Sequence, residues 1–363
     1  MTASRNTSRD LATVTTMRAA MTVGHGDTSM IELRDDVRRP VPLAHEVLVR
    51  VAAASINNTD LWSREGAYGT PEDPGAVAGW KGVPLRFPRI QGADVCGVVD
   101  AVGADVDASW AGRRVLVDPA RPVTGRAAEI AEVMGSEFDG GFAEYVAVDA
   151  AYVHDVTDSP LTDAELACLP IAYGTAMGML DRAEVVAGEC VVVTGASGGV
   201  GSALVQLAAA RGARVIGVTS AGGRDAVLAS GAAATVDRGE ADLANAVLEA
   251  AGGEVDVVAD VVGGDVARGL LSALTGGGRW VIAGAVAGAV IELDLRQLYL
   301  RSRRLIGSTM HTPEQFERLV DVARRGDVSP RIQATRTLSE IRDAQREFRE
   351  SSGSGKIVLI PGQ

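Results

Sequence analysis

Short apolar segments alternate with helical segments through the second half of the chain. The apolar segments are residues 191–193, 214–219, 234–236, 255–260 and 279–283. Strands that are apolar on both faces and alternate with helices are typical of a parallel sheet with helices packed on each side. The pattern therefore predicts a doubly wound α/β domain.

A glycine-rich turn connects the first of these strands to the helix that follows it. Residues 194–201 resemble a Gly-x-Gly-x-x-Gly motif in which Ala196 replaces the first glycine. In such a turn the glycines allow a close approach of the backbone to a pyrophosphate, and the helix N-terminus offers unpaired N–H groups to it. Motif and context together predict a Rossmann dinucleotide-binding domain. Its predicted phosphate contacts are Ser197, Gly198, Gly199, Val200 and Gly201.

The region from residue 17 to residue 160 has the pattern of short β-strands. Residues 46–51 alternate apolar and polar side chains, and residues 92–102 are rich in glycine and valine. Short strands of this kind favour a compact barrel-like domain. Residues 69–88 are rich in glycine and proline, so we expect a loop there, and we expect most of 118–141 to be a loop as well.

The order of the predicted elements indicates that the sheet domain is inserted into the barrel domain. A helix capped by Thr162 leads into the Rossmann unit, and residues 355–359 form a closing strand after a helix at 312–325. The predicted organisation is a disordered tail, two parts of a catalytic domain and a Rossmann domain between them. The boundaries are 1–16 for the tail, 17–160 and 311–363 for the catalytic domain, and 161–310 for the Rossmann domain.

Composition narrows the classes of partner. The chain has 35 Lys and Arg against 47 Asp and Glu, which gives a formal net charge of −12 and disfavours nucleic acid or anionic membranes. Residues 1–16 lack the apolar core of a signal peptide, and no apolar run is long enough to cross a bilayer. Cys96, Cys168 and Cys190 have no Cys-x-x-Cys spacing, which is typical of buried thiols. We expect a cytoplasmic protein.

Taken together, residues 17–359 resemble the medium-chain dehydrogenase/reductase superfamily. The resemblance is carried by the glycine motif and by residues 54–60, 92–99, 140–145, 169–176 and 355–359. It implies an α/β protein with a GroES-like β-barrel catalytic domain, an inserted Rossmann domain and an active site in the cleft between them.

Three positions of this chain bear on metal binding. The zinc-dependent alcohol dehydrogenases of the superfamily carry metal ligands where this chain has Asn57, Ala93 and Ile171. Alanine and isoleucine cannot bind a metal, and an amide is a poor zinc ligand. Residues 118–141 contain no cysteine, so the family's structural zinc is not expected either. The chain instead resembles the zinc-free quinone oxidoreductase branch, although its longer segments leave the substrate class open.

The choice of dinucleotide depends on the end of the second Rossmann strand. An NAD site places a carboxylate about twenty residues past the glycines, where it accepts hydrogen bonds from the ribose. This chain has Thr219 and Ser220 there, and Arg224 and Arg238 follow. The zinc-free branch commonly carries a lysine where this chain has Gly223. We therefore predict NADPH, with either arginine as the partner of the 2′-phosphate, whereas ordinary surface arginines are the alternative.

The resemblance implies three further cofactor contacts, Thr175, Gly284 and Lys356. Glycine at position 284 would let a main-chain group reach the nicotinamide amide. A solvated lysine at the end of a strand is the alternative interpretation of Lys356.

Without a metal, charge that develops on a substrate oxygen needs fixed hydrogen-bond donors. Asn57 is a candidate by position, and Tyr68 lies in a turn similar to one that related enoyl reductases use to orient or protonate substrate. Asp60 and Asp94 are interpreted as structural carboxylates, and His311 is a reserve candidate.

The sequence thus predicts an NADPH-dependent, zinc-independent oxidoreductase that reduces a quinone or the C=C bond of an α,β-unsaturated carbonyl compound. Reduction of a ketone or aldehyde, or a tailoring step in specialised metabolism, is the first alternative. A cofactor-binding module with little turnover is the second. The apolar run at residues 281–291 predicts a homodimer joined through residues 280–294.

Overall fold

The computed structural model describes residues 15–68, 70, 85–350 and 355–362. The predicted tail therefore lies outside the described residues except for its last two, and so does most of the loop predicted at 69–88. The strands are β1 (Thr16–Thr22), β2 (Ile31–Arg38), β3 (Glu46–Ser55), β4 (Arg89–Ile90), β5 (Asp94–Val102), β6 (Arg114–Val117), β7 (Ala120–Val123), β8 (Arg126–Val133), β9 (Tyr145–Asp149), β10 (Val153–Asp155), β11 (Cys190–Val193), β12 (Arg214–Thr219), β13 (Ala234–Asp237), β14 (Val255–Asp260), β15 (Leu274–Ile282), β16 (Arg304–Gly307), β17 (Ile332–Thr337) and β18 (Lys356–Ile360). The helices are α1 (Asn58–Glu65), α2 (Asp163–Ala167), α3 (Pro170–Arg182), α4 (Gly199–Ala210), α5 (Arg224–Ala229), α6 (Leu243–Ala251), α7 (Gly264–Gly269), α8 (Arg296–Tyr299), α9 (Pro313–Arg325) and α10 (Ile341–Glu350).

The glycine motif lies in a six-stranded parallel sheet with the strand order β13-β12-β11-β14-β15-β16. Val191, Val192 and Val193 of the central strand β11 are fully buried, as expected for a strand covered on both faces. The strand order reverses between β11 and β14, and doubly wound sheets bind ligands at the carboxyl ends of the strands at such a switch point. The predicted Rossmann fold is confirmed.

The remaining strands form the GroES-like part of the fold. A seven-stranded sheet has the order β10-β6-β5-β3-β18-β17, with β9 also paired to β3, and a smaller sheet has the order β2-β1-β4. The closing strand β18 pairs with β3 through Val358 opposite Ser55 and Leu359 opposite Ala54. The chain thus returns to the barrel after the Rossmann sheet, which confirms the predicted inserted topology.

Helices α2 and α3 join the two parts of the fold. The capping box of Thr162 and Glu165 fixes the start of α2, as the sequence predicts for Thr162. Ala53 and Leu116 of the barrel lie in the same buried cluster as Met179 of α3 and Val193 of β11. One continuous core therefore holds the cleft between the barrel and the Rossmann sheet.

Residues 118–141 are not mainly a loop, so that prediction is wrong. Strands β7 and β8 form an antiparallel hairpin, with Ala120 opposite Val133. Gly125, at a φ of +77°, provides the left-handed residue that the tight turn requires. Alanine and glutamate are depleted in strands, and their abundance in β8 hides its strand character.

Only part of residues 280–294, through which the sequence predicts a homodimer, is exposed in the structure. Strand β15 pairs with both β14 and β16, so Trp280 and Val281 are buried inside the sheet and cannot pair with a second chain. The edge strand on this side of the sheet is β16, and β13 forms the opposite edge. Exposed apolar side chains occur further along the chain, at Val286 and Val290.

Two other expectations concern cysteines and membranes. The three cysteines are free, and burial raises the pKa of the Cys168 thiol to about 12. Cys96 and Cys168 are buried and Cys190 is partly exposed, so these thiols pack as small apolar groups. Within the part of the chain that the structure describes, no helix has the length and apolar character needed to cross a membrane.

Candidate active site

The turn before α4 has the geometry that a pyrophosphate requires. Gly195 adopts a φ of +57°, and Gly198 is the N-cap residue of α4 with no side chain capping the helix. The N–H groups of the first turn are thus available to an anion. A Cβ at Gly201 would lie 2.0 Å from the Gly195 carbonyl oxygen, so only glycine fits there. These residues fit a dinucleotide phosphate.

The end of β12 is polar and carries no carboxylate. Thr219 is buried, and its Oγ1 has no hydrogen-bond partner among the described residues. The N–H of Arg238 donates to the Thr219 carbonyl oxygen at 2.8 Å, and Arg224 begins α5 nearby. The side chains of both arginines are exposed. The fold therefore brings both predicted arginines to the end of the strand where an NAD-binding carboxylate would stand.

The position where the zinc-free branch commonly carries a lysine is crowded in this chain. A Cβ at Gly223 would lie 2.3 Å from Thr219 Oγ1 and 3.0 Å from Ser197 Cβ. A side chain at this position would therefore require the side chains of Thr219 and Ser197 to shift. Because glycine carries no charge, a cation for a 2′-phosphate must come from a neighbouring residue.

Asn57, Asp94 and Lys356 form a buried polar network on the barrel side of the cleft. Lys356 Nζ donates to Asn57 Oδ1 at 2.5 Å and to Asp94 Oδ2 at 3.2 Å, and Asn57 Nδ2 donates to Asp94 Oδ2 at 2.9 Å. Lys356 is only 5% exposed. The alternative interpretation of Lys356 as a solvated lysine is therefore wrong.

Asp94 is the centre of this network. Besides Asn57 and Lys356, it accepts hydrogen bonds from the Ser55 hydroxyl and from the backbone N–H of Ile171, the latter at 2.8 Å. Four donors from four segments of the chain thus satisfy one buried carboxylate. This arrangement agrees with the structural role that the sequence assigns to Asp94.

The residues at the family's zinc positions do not fit a metal. Both ends of the Asn57 amide are engaged by Asp94 and Lys356. Ala93 and Ile171 are buried in an apolar cluster with Met310. Across the described ranges, no group of three or more His, Cys, Asp or Glu side chains is arranged to hold a metal ion.

A cavity of about 190 Å³ opens beside Ala93. Tyr68, Asp60 and Met134 are among its lining residues, and Asn57 is not. The Asn57 backbone N–H nevertheless donates to Asp60 Oδ2 at 2.8 Å, so the network and the cavity share a wall. The cavity and the network together form the candidate active site.

Burial raises the pKa of two side chains that line the cavity, Tyr68 and Asp60. Burial raises the pKa of Tyr68 to about 12, and the charge of Asp60 acts in the same direction. The Tyr68 hydroxyl is therefore a proton-bearing donor at neutral pH. Burial also raises the pKa of Asp60 to about 7, against the hydrogen bonds that it accepts from the backbone of Asn57 and Gly92.

The other predicted site residues lie around this centre. Thr175 is buried in α3, with its Oγ1 3.7 Å from Met310 Sδ. Gly284 packs so closely on the backbone of Val261 that a Cβ would lie 2.5 Å from its carbonyl oxygen. His311 is buried, and its Nε2 lies 2.8 Å from Asp118 Oδ1. His311 is not among the lining residues of the cavity.

Sequence reasoning missed two parts of the cavity wall. Gln91 lines the cavity and donates to the Asp60 carbonyl oxygen at 2.9 Å. Its position directly before the Gly92–Asp94 segment was a usable signal. Met134 comes from the end of the hairpin that was predicted as a loop, so no sequence signal placed it there.

Two family models and a solved structure match this architecture. Residues 43–158 match the alcohol dehydrogenase GroES-like domain, and residues 199–325 match the zinc-binding dehydrogenase model. A solved structure from Sinorhizobium meliloti, described provisionally as an alcohol dehydrogenase, is 46% identical with a TM-score of 0.89 and covers 95% of this chain and 97% of its own. The chain belongs to the medium-chain dehydrogenase/reductase superfamily. It is an oxidoreductase with a nicotinamide-dinucleotide-binding fold.

Two curated relatives carry more specific names. Quinone oxidoreductase of Rattus norvegicus is 29% identical and covers 95% of this chain and 98% of its own length. Acryloyl-coenzyme A reductase of Sulfurisphaera tokodaii is 27% identical and covers 90% of this chain and 96% of its own. The similarity thus extends over nearly the whole of each protein.

The raised pKa of Asp60 predicts a pH-dependent stability. The carboxyl has a pKa of about 7 in the folded protein against an ordinary value of 3.8, so between these values the folded state keeps a proton that the unfolded chain releases. The free energy of unfolding therefore falls as the pH rises through this window and is level above it. Asp60→Asn cannot ionise, and its amide nitrogen cannot accept one of the two backbone hydrogen bonds, so we expect it to be less stable than wild type near pH 4 but to lack the fall in stability between pH 4 and pH 8. Urea unfolding at both pH values measures this, and an identical pH dependence of the two proteins would contradict it.

Proposed function

We propose that this protein is an NADPH-dependent, zinc-independent reductase of a quinone or of the C=C bond of an α,β-unsaturated carbonyl compound. The observation that carries the proposal is the buried ammonium and amide network at the family's metal position, beside a cavity with a protonated tyrosine. The names of the two curated relatives support these substrate classes.

The residues of the chain have separable tasks in this proposal. The reduced nicotinamide supplies the hydride. Residues 197–201, Thr175 and Gly284 hold the dinucleotide, while Lys356 fixes the barrel side of the cleft. Hydride addition at a β-carbon places negative charge on the carbonyl oxygen, and fixed donors such as Asn57 Nδ2 and the Tyr68 hydroxyl stabilise it. The proton comes from Tyr68 or from water.

A second candidate function is the reduction of a ketone or aldehyde. The Sinorhizobium meliloti structure, with its provisional description as an alcohol dehydrogenase, favours it. The two candidates differ in the carbon that receives the hydride, which is the β-carbon in one and the carbonyl carbon in the other.

Isotope transfer from stereospecifically deuterated NADPH separates the candidates. We expect turnover with simple quinones or enones, and we expect an enone product to carry deuterium on its β-carbon. Mass spectrometry and NMR of the product measure this. Deuterium on the former carbonyl carbon would establish the ketone reductase, and the absence of turnover across a broad panel would favour a binding module.

Tyr68→Phe is the matched variant for this experiment because it removes only the hydroxyl. We expect kcat to fall about tenfold to a thousandfold, the range for loss of a donor that acts in the transition state, while the Kd for NADPH is nearly unchanged. Wild-type kcat in this variant would remove Tyr68 from the mechanism.

The end of β12 predicts the preference between dinucleotides. Without a carboxylate, and with Arg224 and Arg238 nearby, we expect NADPH to bind at least about tenfold more tightly than NADH. Thr219→Asp places a carboxylate against the 2′-phosphate and should invert the preference. Thr219→Asn, whose side chain has the shape of aspartate without its charge, should not. Fluorescence titration of each protein with both cofactors measures the Kd values, and equal affinities in wild type would refute the assignment.

The proposal includes a cytoplasmic homodimer. Apolar side chains are exposed along the segment between β15 and β16, at Val286, Val290, Tyr299 and Leu300, and Leu305 of β16 itself is 45% exposed. Burial of such side chains between two copies would remove apolar surface from water and extend the sheet.

A further inference from the structure

Lys356 is unusual in this chain because lysine is almost absent from it. The chain has two lysines, Lys81 and Lys356, and its other cationic side chains are arginines. Arginine forms the surface ion pairs, such as that of Arg336 with Glu347. A lysine ammonium is a compact point charge, whereas a guanidinium is planar and larger. The ammonium of Lys356 is buried at the start of β18.

The lysine side chain reaches from the barrel sheet past the first residue of α4 to Asn57. Its Cδ lies 3.3 Å from where a Cβ at Gly199 would be, so the stem runs beside the first residue of α4. Its Nζ ends between Asn57 Oδ1 and Asp94 Oδ2, at 2.5 Å and 3.2 Å. Asn57, Asp94 and Lys356 are all at least nine-tenths buried. A wider cationic head would not fit this space without displacing one of its partners.

The ammonium fixes the orientation of the Asn57 amide. An ammonium group only donates hydrogen bonds, so the amide oxygen must face Lys356 and the amide nitrogen must face Asp94. The nitrogen carries two hydrogens, and Asp94 accepts one of them at 2.9 Å. The second is used by none of the residues that the structure describes. Donation to the amide oxygen also polarises the amide and strengthens its N–H groups as donors.

We propose that Lys356 is a positioning residue for the reaction, which holds Asn57 Nδ2 as a hydrogen-bond donor in the cleft and balances the charge of Asp94. This inference rests on the proposed function of Asn57. It differs from the cofactor contact that the family resemblance implies, because Lys356 acts through Asn57 and the reacting oxygen rather than through the dinucleotide.

Lys356→Met removes the ammonium and keeps most of the side-chain volume. We expect kcat with saturating NADPH and an enone to fall at least about tenfold, and the Kd for NADPH, from fluorescence titration without substrate, to stay within about threefold of wild type. Arg336→Met removes a partly exposed cation, paired with Glu347, from the neighbouring strand β17. This control should keep wild-type kcat.

The double variant Lys356→Met/Asn57→Ala tests whether the two residues act as a unit. If Lys356 acts through Asn57, the double variant has the same kcat as Asn57→Ala alone, because losses within a unit are not additive. Multiplied losses would overturn the positioning role. A Kd for NADPH raised tenfold with unchanged kcat would also overturn it and would indicate a phosphate contact. Wild-type kcat in Asn57→Ala would instead contradict the proposed function itself.

A measurement on the wild-type chain covers the case in which Lys356→Met does not fold. Protein labelled with 15N-lysine contains only two labelled side chains, so the buried Lys356 ammonium is readily assigned. We expect its Nζ resonance to exchange slowly with water and to shift in Asn57→Ala. An identical resonance in both proteins would show that the ammonium does not contact the amide in solution.

Discussion

The carboxylate of Asp94 is the charge around which the cleft is built. It is fully buried and accepts hydrogen bonds from Ser55, Asn57, Lys356 and the backbone of Ile171. A buried charge is tolerated only when it is paired and its lone pairs are satisfied, and removal of one partner typically costs about 3–5 kcal/mol. These donors come from β3, the cap of α1, β18 and the first turn of α3. One carboxylate therefore fixes the barrel, the closing strand and the linking helix relative to each other.

The same constraint connects the fold to the chemistry. The closing strand returns to the barrel and brings Lys356 to Asn57 across 299 positions of the chain. The lysine stem passes Gly199 at the phosphate-binding helix, so the network lies between the cofactor turn and the cavity of Tyr68. The chain itself thus places a positive charge, the Lys356 ammonium, beside the cavity.

Sequence patterns predicted most of the fold because burial determines them locally. The strands β12 and β14 have the predicted bounds, since runs that are apolar on both faces have few other stable arrangements. The predicted cap Thr162 precedes α2, and the helix predicted at 312–325 is α9, which begins at Pro313 with Thr312 as its N-cap. The hairpin of β7 and β8 was missed because its alanines and glutamates have low strand propensity, and pairing with a neighbour overrides that propensity.

The candidate site was predicted only residue by residue. The sequence analysis assigned separate roles to Asn57, Asp94 and Lys356. Their mutual hydrogen bonds depend on strand pairing between the two ends of the chain, which no local pattern encodes. Likewise, the crowding of Gly223 by the side chains of Thr219 and Ser197 depends on the fold of the turn around them. Side-chain type is a local property, whereas hydrogen-bond geometry belongs to the folded molecule.

Asn57, held by Lys356 and Asp94, stands at a position where the zinc-dependent members of the superfamily carry a metal ligand. We therefore propose that this cleft works without zinc, and metal content and turnover measured on one preparation dialysed against a chelator decide this. We expect far less than one zinc per chain together with undiminished reduction of a quinone or enone. One tightly held zinc per chain, with turnover that is lost on its removal and returns on its addition, would show that the cleft depends on the metal.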